Sequence, residues 1–329
     1  MTAEPGAGTA NAGPARNRVV FFGSGGFALP LVDALAVDPT VEIVAVVTAP
    51  DRPAGRGARP RSTPVAARAA ELGLARLQPE RLRSPDTIAA LADLRPRLGI
   101  LADYGRIVPK SILDLPASGF LNVHPSLLPR HRGASPIPVA IIDADAATGV
   151  TIIRMDEGVD SGPIVASVTL ALTGRESAPE LERRLAGLGA ALLVRTARAW
   201  LAGTLRATPQ DETAATFTRP LRREDGRLDP ARPAAELERR VRALQPWPGA
   251  FVDTALGRLS VDRASVVPGS ADDRPGTLEA DGDGLALATA EGRLRLDELH
   301  LAGARRMSGA ELRRGRPGLV GAQAEVGTV

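Results

Sequence analysis

The sequence predicts an α/β protein with a doubly wound, Rossmann-like N-terminal domain and a smaller C-terminal β-barrel. Between residues 18 and 203, apolar strand patterns alternate with helical patterns, which is typical of a parallel sheet covered by helices. After residue 244, short alternating runs recur between turn residues, and this pattern favours a small barrel. A chain of 329 residues is long enough to bury two hydrophobic cores.

The N-terminal elements each have a local signal. The apolar run 18–22 leads into the glycine turn 23–26, and Pro30 can start the helix that follows. The run 41–47 is rich in β-branched residues, as buried parallel strands are. The other predicted elements here are helices at 64–72 and 85–94 and strands at 74–77, 98–102, 120–123, 150–153 and 163–172.

The pattern changes in the second half of the chain. Ser177 and Glu180 have the spacing of a capping box, and Gly203 can end the long helix that they begin. Residues 204–222 lack a core pattern and are predicted to be a linker. An amphipathic helix is predicted at 233–244. The predicted barrel strands after it are 250–254, 258–262, 285–289 and 292–296.

The chain therefore divides into a disordered tail (1–17), an N-terminal domain (18–203), a linker (204–222) and a C-terminal domain (223–329). The tail has no hydrophobic segment and cannot be a secretory signal. No apolar run reaches the ~20 residues that a membrane span requires. Because there is no cysteine, disulfides, zinc-thiolate sites and thiol nucleophiles are excluded. We expect a cytoplasmic protein without membrane contact.

The isoelectric point of the chain is much higher than its small net charge suggests. The isoelectric point is about 10.3, but the net charge is only +3. Lys110 is the only lysine and Tyr104 the only tyrosine, so few groups titrate between neutral pH and the arginine range. Net charge is the better guide to long-range attraction, and it indicates that a polyanion must be held by local arginine clusters.

One arginine cluster lies in the segment 49–61, which carries four arginines and one acid. The segment has no apolar periodicity, so it is predicted to be mobile and exposed. It is either a solvated surface loop or a basic finger that orders on a phosphate-rich partner. The glycine turn 23–28 matches a variant of the dinucleotide-binding fingerprint, but no acidic residue closes the second strand. A tight turn is therefore favoured over a nicotinamide site.

The residues that could perform chemistry are concentrated between 119 and 162. Asn122 and His124 are two apart on one predicted strand, so both side chains leave the same face of the sheet. An imidazole suits proton transfer near neutral pH, and an amide can donate to a developing oxyanion. A carboxylate beside the imidazole would hold its tautomer. By residue chemistry alone, Asp156 and Asp160 are both candidates for that carboxylate.

The other two histidines are interpreted as structural. His131 lies between Arg130 and Arg132, where like charge disfavours a protonated imidazole. His300 stands alone in the C-terminal domain. No ligand spacing recurs among the three histidines, so no metal site is predicted.

The run Asn-Val-His-Pro-Ser-Leu-Leu-Pro-Arg at 122–130, followed by Asp-Glu-Gly-Val-Asp-Ser-Gly at 156–162, resembles the signature of the 10-formyltetrahydrofolate-dependent formyltransferases. Segments 51–57 and 104–110, with the Trp-Pro pair at 247–248, are similar to the branch of that family that formylates methionyl-initiator tRNA. The resemblance extends from residue 18 to about residue 312.

This resemblance implies 10-formyltetrahydrofolate as co-substrate, methionyl-initiator tRNA as partner and a C-terminal barrel of the oligonucleotide-binding (OB-like) type. We expect a monomer. The resemblance also implies a catalytic trio of Asn122, His124 and Asp160. The folate contacts that it implies are Ser126, Leu127, Leu128, Pro129, Tyr104, Gly105 and Asp156. The tRNA contacts that it implies are Arg52, Arg56, Arg222 and Arg223, and we expect Arg56→Ala to weaken formylation.

The chain departs from the family pattern at two places. Ser24-Gly25-Gly26 replaces a threonine, a proline and an acid, and Asp103 stands where a small residue is usual. The added carboxylate either weakens binding of the anionic folate or faces solvent. The second hypothesis is a formyltransferase or formyl-folate hydrolase that acts on a small amine or water, and the third is a non-catalytic RNA-binding protein or a nicotinamide enzyme. The arginine segment and the C-terminal module favour the tRNA enzyme, since a small-molecule enzyme needs neither.

Overall fold

A computed structural model describes residues 16–54, 59–255 and 257–324. It has a mixed seven-stranded sheet covered by helices and, after it in sequence, a six-stranded antiparallel sheet. The strands are β1 (Asn17–Phe22), β2 (Val41–Val47), β3 (Arg52–Ala54), β4 (Arg59–Arg61), β5 (Arg76–Leu77), β6 (Leu98–Leu101), β7 (Phe120–His124), β8 (Arg132–Gly133), β9 (Ala147–Arg154), β10 (Ile164–Ala171), β11 (Phe217–Thr218), β12 (Ala250–Thr254), β13 (Gly257–Val267), β14 (Leu278–Asp281), β15 (Gly284–Ala288), β16 (Arg293–Leu301) and β17 (Met307–Ser308). The helices are α1 (Leu29–Ala36), α2 (Pro64–Glu71), α3 (Pro85–Asp93), α4 (Lys110–Leu113), α5 (Pro136–Ile142), α6 (Ala178–Leu201), α7 (Ala234–Ala243) and α8 (Gly309–Gly315).

The N-terminal sheet has the strand order β10-β9-β7-β6-β1-β2-β5. The strands from β7 to β5 pair in parallel, and β9 and β10 add an antiparallel edge. The alternating α/β prediction is therefore confirmed. Helix α6, the longest in the described chain, begins where the sequence predicts, with the Ser177 backbone N–H donating to the Glu180 carboxylate at 3.0 Å.

Strand β7 separates two hydrophobic cores and so determines where its polar side chains point. Leu121 and Val123 pack into the core that contains α1 and α6. Phe120 packs into the core on the opposite face, which contains α4. Since side chains alternate along a strand, Asn122 and His124 share the face of Phe120. This confirms the prediction that both leave one face of the sheet.

The C-terminal sheet has the order β12-β13-β16-β15-β14, with β17 beside β16. Helix α7 packs against it through Leu237 and Val241. Near the end of the described chain, Ala324 bridges Thr254 on β12 and Gln323 bridges Thr277 beside β14. These residues join the two edge strands, so the sheet is closed there in the manner of a small barrel.

The arginine segment contains backbone pairing that the sequence did not indicate. Arg52 pairs with Arg61 in a short antiparallel hairpin of β3 and β4. Backbone pairing of this kind needs no apolar periodicity, which is why the pattern missed it. Arg52 and Arg61 are exposed, as predicted. Arg56 lies outside the described residues, as does the tail up to residue 15, and Asn17, assigned to the tail, begins β1.

The predicted linker is bound along the N-terminal domain. Thr208 bridges Ile164, and Phe217 of β11 pairs in parallel with Arg132 of β8. Polar side chains and backbone atoms hold this segment, and such contacts leave no periodic apolar pattern in the sequence. Within residues 16–54, 59–255 and 257–324, no helix is both long and apolar enough to cross a membrane.

Candidate active site

Three polar side chains meet on the open face of β7. Asn122 and His124 are only 6% and 5% exposed. The loop between β9 and β10 crosses that face and places Asp160 against both of them. The Asn122 Nδ2 donates to Asp160 Oδ1 at 2.9 Å, and His124 Nδ1 lies 3.6 Å from Asp160 Oδ2. The structure thus brings together the three residues for which the sequence predicts catalytic roles.

The two ring nitrogens of His124 have different partners. Nε2 lies 2.9 Å from the backbone carbonyl oxygen of His131. A carbonyl oxygen only accepts hydrogen bonds, so this contact assigns the hydrogen to Nε2. Nδ1 faces the Asp160 carboxylate and is the ring atom able to exchange a proton.

The backbone of Asp160 is held in a conformation that residues other than glycine rarely adopt. Its φ is +50°, in the left-handed region that costs an ordinary residue about 1 kcal/mol. Its Oδ2 also accepts from the Gly133 backbone N–H at 2.8 Å. Asp156, the alternative carboxylate, instead accepts from the Gly158 N–H and the Ser161 hydroxyl, both at 3.0 Å. Asp156 therefore shapes the loop, and Asp160 faces the imidazole.

The surroundings of His131 differ from the sequence argument. Its Nε2 lies 2.6 Å from Asp145 Oδ2, and Arg130 also pairs with Asp145, at 2.5 Å. Arg132 points away to Glu212. The sequence argument considered only the two neighbouring arginines, and it could not reveal Asp145, which lies against the imidazole. With this imidazole anchored, the His131 carbonyl oxygen is fixed in position for His124.

The stretch 126–129, predicted to contact folate, is largely turned into the protein. The fully buried Ser126 hydroxyl donates to the Arg130 carbonyl oxygen at 2.7 Å. Leu128 is buried, and its N–H donates to the Thr151 hydroxyl at 3.1 Å. Leu127 and Pro129 are half-buried. The side chain of Leu127 packs against β9, since a Cβ built on Gly149 would lie 2.5 Å from Leu127 Cδ2.

Tyr104 carries a polar atom that lacks a protein partner. Its ring is 3% exposed and packs edge-on against Phe22, with the ring centroids 5.3 Å apart. Burial raises the pKa of its hydroxyl. The nearby Arg106 guanidinium, which donates to the carbonyl oxygens of Pro79 and Glu80, acts against that rise in pKa. Within the part of the chain that the structure describes, this hydroxyl is the one buried side-chain polar atom without a hydrogen-bond partner.

Two exposed apolar side chains lie on the loops that carry Tyr104 and Asp160, and a cavity lies beside the Asp156 loop. Ile107, three residues after Tyr104, is 79% exposed, and Val159, next to Asp160, is 57% exposed. A cavity of about 560 Å³ is lined by Phe120 and Asp156, among others. Sequence reasoning missed Ile107 and Val159, because an exposed apolar residue in a loop has the same sequence signal as a buried one. Gly105 follows Tyr104 with φ of +72°, which favours glycine.

The two departures from the family pattern are one linked feature. A Cβ built on Gly25 would lie 1.9 Å from Asp103 Oδ2, so the missing side chain at Gly25 makes room for this carboxylate. Asp103 as a whole residue is exposed, but protein atoms surround its carboxyl group and remove part of the water around that group. That burial, together with the charge of Glu182, raises the pKa of Asp103 to about 6.

Asp103→Asn is expected to stabilise the protein at neutral pH. The folded state disfavours the ionised carboxyl, whose ordinary pKa is 3.8, so wild-type stability falls as pH rises through the folded pKa of about 6. The asparagine has no such ionisation. Thermal unfolding should show a Tm difference in favour of the variant that is larger at about pH 7.5 than at about pH 4.5. An equal difference at both pH values would contradict the raised pKa.

No three His, Cys, Asp or Glu side chains in the described segments are grouped so that they could hold a metal ion.

Two regions match family models: residues 17–197 match Formyl transferase, and residues 220–317 match the Formyl transferase C-terminal domain. The methionyl-tRNA formyltransferase of Roseiflexus castenholzii is 44% identical over 305 residues, which is 91% of this chain and 96% of that protein. The methionyl-tRNA formyltransferase of Pseudomonas paraeruginosa is 44% identical over 296 residues, 90% of this chain and 94% of that protein.

Solved structures share the fold at low identity. An N-formyltransferase from Helicobacter canadensis, in complex with folinic acid and dTDP-3-aminofucose, has a TM-score of 0.62 at 13% identity, covering 86% of this chain and 99% of that one. HypX from Aquifex aeolicus, in complex with tetrahydrofolic acid, has a TM-score of 0.59 at 16% identity. The match covers 91% of this chain and 47% of HypX, so this chain spans about half the length of that protein. The two family-model matches and the 44% identity to full-length relatives confirm the resemblance found in the sequence, and the chain belongs to the formyl transferase family.

Proposed function

We propose that the protein transfers the formyl group of 10-formyltetrahydrofolate to the α-amino group of methionyl-initiator tRNA. The observation that carries this proposal is the 44% identity to methionyl-tRNA formyltransferases across both domains. The sugar N-formyltransferase from Helicobacter canadensis shares only the fold, at 13% identity. A family member that acts on a small amine or on water is therefore the second candidate.

Asn122 is placed to stabilise the oxyanion. Its amide has two N–H donors, and one of them is held by Asp160. That bond fixes the plane of the amide, so the second N–H keeps one direction. When bound, the folate supplies an activated formyl group on its N10 atom, and attack by the methionyl amine puts negative charge on the formyl oxygen. The second Asn122 N–H stabilises that charge as it develops.

His124 accepts and donates the protons that move during the reaction, and Asp160 stabilises the charged form of its ring. The attacking amine must lose a proton, and the departing folate nitrogen must gain one when the bond to the formyl carbon breaks. Nδ1 of His124 exchanges these protons, because Nε2 is bound to the His131 carbonyl oxygen. Asp160, 3.6 Å from Nδ1, stabilises the imidazolium while it carries the proton.

The folate site is proposed on the loops around the trio. The unpartnered, buried hydroxyl of Tyr104 supports this assignment, since buried polar groups in proteins nearly always have a partner. Ile107 and Val159 offer exposed apolar side chains for a flat ring system. The remaining proposed contacts are Gly105, Asp156, Ser126, Leu127, Leu128 and Pro129.

The tRNA site is proposed on exposed arginines. Arg52 lies on the β3 hairpin, and Arg222 and Arg223 lie where the linker enters the C-terminal domain. Arg56 belongs to the same proposal. We assign residues 18–203 to catalysis, 204–222 to the linker and 223–329 to tRNA binding by an OB-like barrel. Since one chain supplies the whole trio, we propose a monomer, working in the cytoplasm where initiator tRNA is used.

Replacing Arg222 and Arg223 together by alanine is expected to lower kcat/KM for methionyl-tRNA by about 10-fold at low salt while kcat at saturating tRNA stays within about threefold. The reason is that each arginine that contacts a phosphate releases counterions. The slope of log(kcat/KM) against log salt should therefore decrease by about 1 to 2. Arg81→Ala with Arg83→Ala removes two other exposed arginines and should leave the slope unchanged. An unchanged slope in the Arg222 and Arg223 variant would exclude them as phosphate contacts.

The function itself is tested by offering the purified protein and 10-formyltetrahydrofolate four acceptor conditions: methionyl-initiator tRNA, a methionyl elongator tRNA, a nucleotide-linked amino sugar, and no acceptor. We expect formyl-methionyl-tRNA with the initiator and no formylated product with the amino sugar. Formylation of the sugar, or formate release without an acceptor, would instead establish the second candidate.

A further inference from the structure

The side chain of Gln210, in the linker, connects a buried arginine to the loop that carries Asp160. Its Nε2 donates to the carbonyl oxygens of Asp160, at 2.8 Å, and Gly162, at 2.7 Å. Its Oε1 accepts from Arg132 Nε at 3.1 Å and from Arg132 Nη2 at 2.8 Å. All four hydrogen-bonding positions of the amide are therefore occupied.

These partners permit only one orientation of the amide. If it were flipped, its oxygen would face two carbonyl oxygens and its NH₂ group would face a guanidinium. Arg132 cannot move to accommodate that change, because it is 2% exposed and also forms two hydrogen bonds to Glu212, at 2.7 and 2.8 Å. Arg132 therefore fixes Gln210, and Gln210 fixes the backbone of the Asp160 loop.

The position of that backbone matters for the carboxylate. Asp160 has φ of +50°, a conformation that the chain adopts only where its surroundings hold it. The two bonds from Gln210 hold the Asp160 carbonyl oxygen and that of Gly162, two residues later. From this backbone the carboxylate reaches Asn122 and the Gly133 N–H and stands 3.6 Å from His124 Nδ1.

The same linker segment also holds the other side of His124. The Thr216 hydroxyl accepts from the His131 N–H at 2.8 Å, and the His131 carbonyl oxygen faces His124 Nε2. Thr218 packs so tightly on Gly133 that a Cβ there would lie 2.3 Å from the Thr218 carbonyl oxygen. Both ring nitrogens of His124 therefore face atoms whose positions depend on residues 210–218.

We infer that Gln210, oriented by Arg132, is a positioning residue for formyl transfer: it holds the Asp160 backbone so that the carboxylate faces His124 and Asn122. This inference rests on the catalytic roles proposed for His124 and Asp160. Gln210 acts through the backbone of the Asp160 loop. Its loss should lower kcat and leave both KM values nearly unchanged.

The first test is kinetic. Gln210→Glu keeps the size of the side chain and its acceptor for Arg132, but it presents an oxygen to the two carbonyl oxygens. We expect kcat to fall by about 10-fold to 100-fold, since a displacement of about 1 Å can cost that much, with KM for folate and tRNA within about threefold. Gln210→Leu, which has no charge to bury, should behave alike and serves if the glutamate variant does not fold. The matched control is Asp211→Asn, because the Asp211 carboxylate accepts only from Thr213, and this variant should keep wild-type kcat.

The second test monitors the surroundings of the His124 ring through its NMR signals. The chain has three histidines, so NMR of the nitrogen-15-labelled protein gives three pairs of imidazole nitrogen signals. In either Gln210 variant the His124 ring signals should move, while those of His300, which pairs with Asp262 in the C-terminal domain, should stay in place. A folded variant with wild-type kcat overturns the inference. A loss of kcat with unmoved His124 signals also overturns it, because the loss would then be a general structural effect. If the wild type transfers no formyl group to tRNA, the proposed function fails, whereas the ring signals still report whether Gln210 positions Asp160.

Discussion

Asp160→Asn is expected to lower kcat by at least ~100-fold, although the substitution changes neither the size nor the shape of the side chain. The carboxylate accepts from Asn122 Nδ2 through one oxygen and from the Gly133 N–H through the other. An asparagine has one acceptor and one NH₂ group, so in either orientation its NH₂ group faces another donor. The side chain must turn away, and the charge that stabilises the His124 imidazolium is lost.

Rapid-quench measurement of formyl-methionyl-tRNA at saturating substrates gives this kcat. Asp211→Asn provides the matched control, because it removes an exposed carboxylate from the linker. Circular dichroism and the Tm of both variants establish that they are folded. A folded Asp160→Asn protein with more than about a tenth of the wild-type kcat would remove Asp160 from the catalytic trio.

His124→Ala is expected to lower kcat by at least ~100-fold as well, because no other imidazole reaches the trio to exchange protons. The other two imidazoles face Asp145 and Asp262. Since the substitution leaves space where the ring was, added imidazole should restore part of the lost rate. Asn122→Ala removes the oxyanion donor and should fall in the same range.

The matched control is His300→Ala, which removes an imidazole that the C-terminal domain holds against Asp262 at 2.7 Å. It should retain wild-type kcat. If His124→Ala keeps about a tenth or more of the activity, or if imidazole rescues His300→Ala instead, proton exchange does not pass through His124.

The sequence predicted the parts of the site that follow from strand geometry. Asn122 and His124 are two residues apart on an apolar run, and alternation alone puts them on one face. The bounds of β2 and the capping box of α6 carry equally local signals, and the structure confirms them. The C-terminal strands β13 and β16 are longer than predicted. The later residues of β13 are exposed or half-buried, and those of β16 are half-buried except for Leu299, which weakens the apolar pattern.

The rest of the site depends on contacts between segments distant in sequence. Asp160 and Asp156 are equivalent in the sequence by residue chemistry, and only the path of their loop places one of them on His124. Gln210 lies 50 residues from Asp160, in a segment without apolar periodicity. Its bonds are between polar side chains and backbone, which leave no repeating signal. In the sequence, Asp103 and Gly25 are two separate departures from the family pattern. In the structure, the Asp103 carboxylate occupies the space that a side chain at Gly25 would fill.

The proposed role of the trio around β7 is the transfer of a formyl group to the amine of methionyl-initiator tRNA. Single-turnover chemical quench tests it most directly, with enzyme in excess over labelled methionyl-initiator tRNA and 10-formyltetrahydrofolate saturating, so that binding no longer limits the rate. The account predicts that the wild type converts all of the tRNA to its formylated form in one exponential phase, and that Asp160→Asn does so at least ~100-fold more slowly. The absence of formyl-methionyl-tRNA with the wild type, or equal rates for the two proteins, would contradict it.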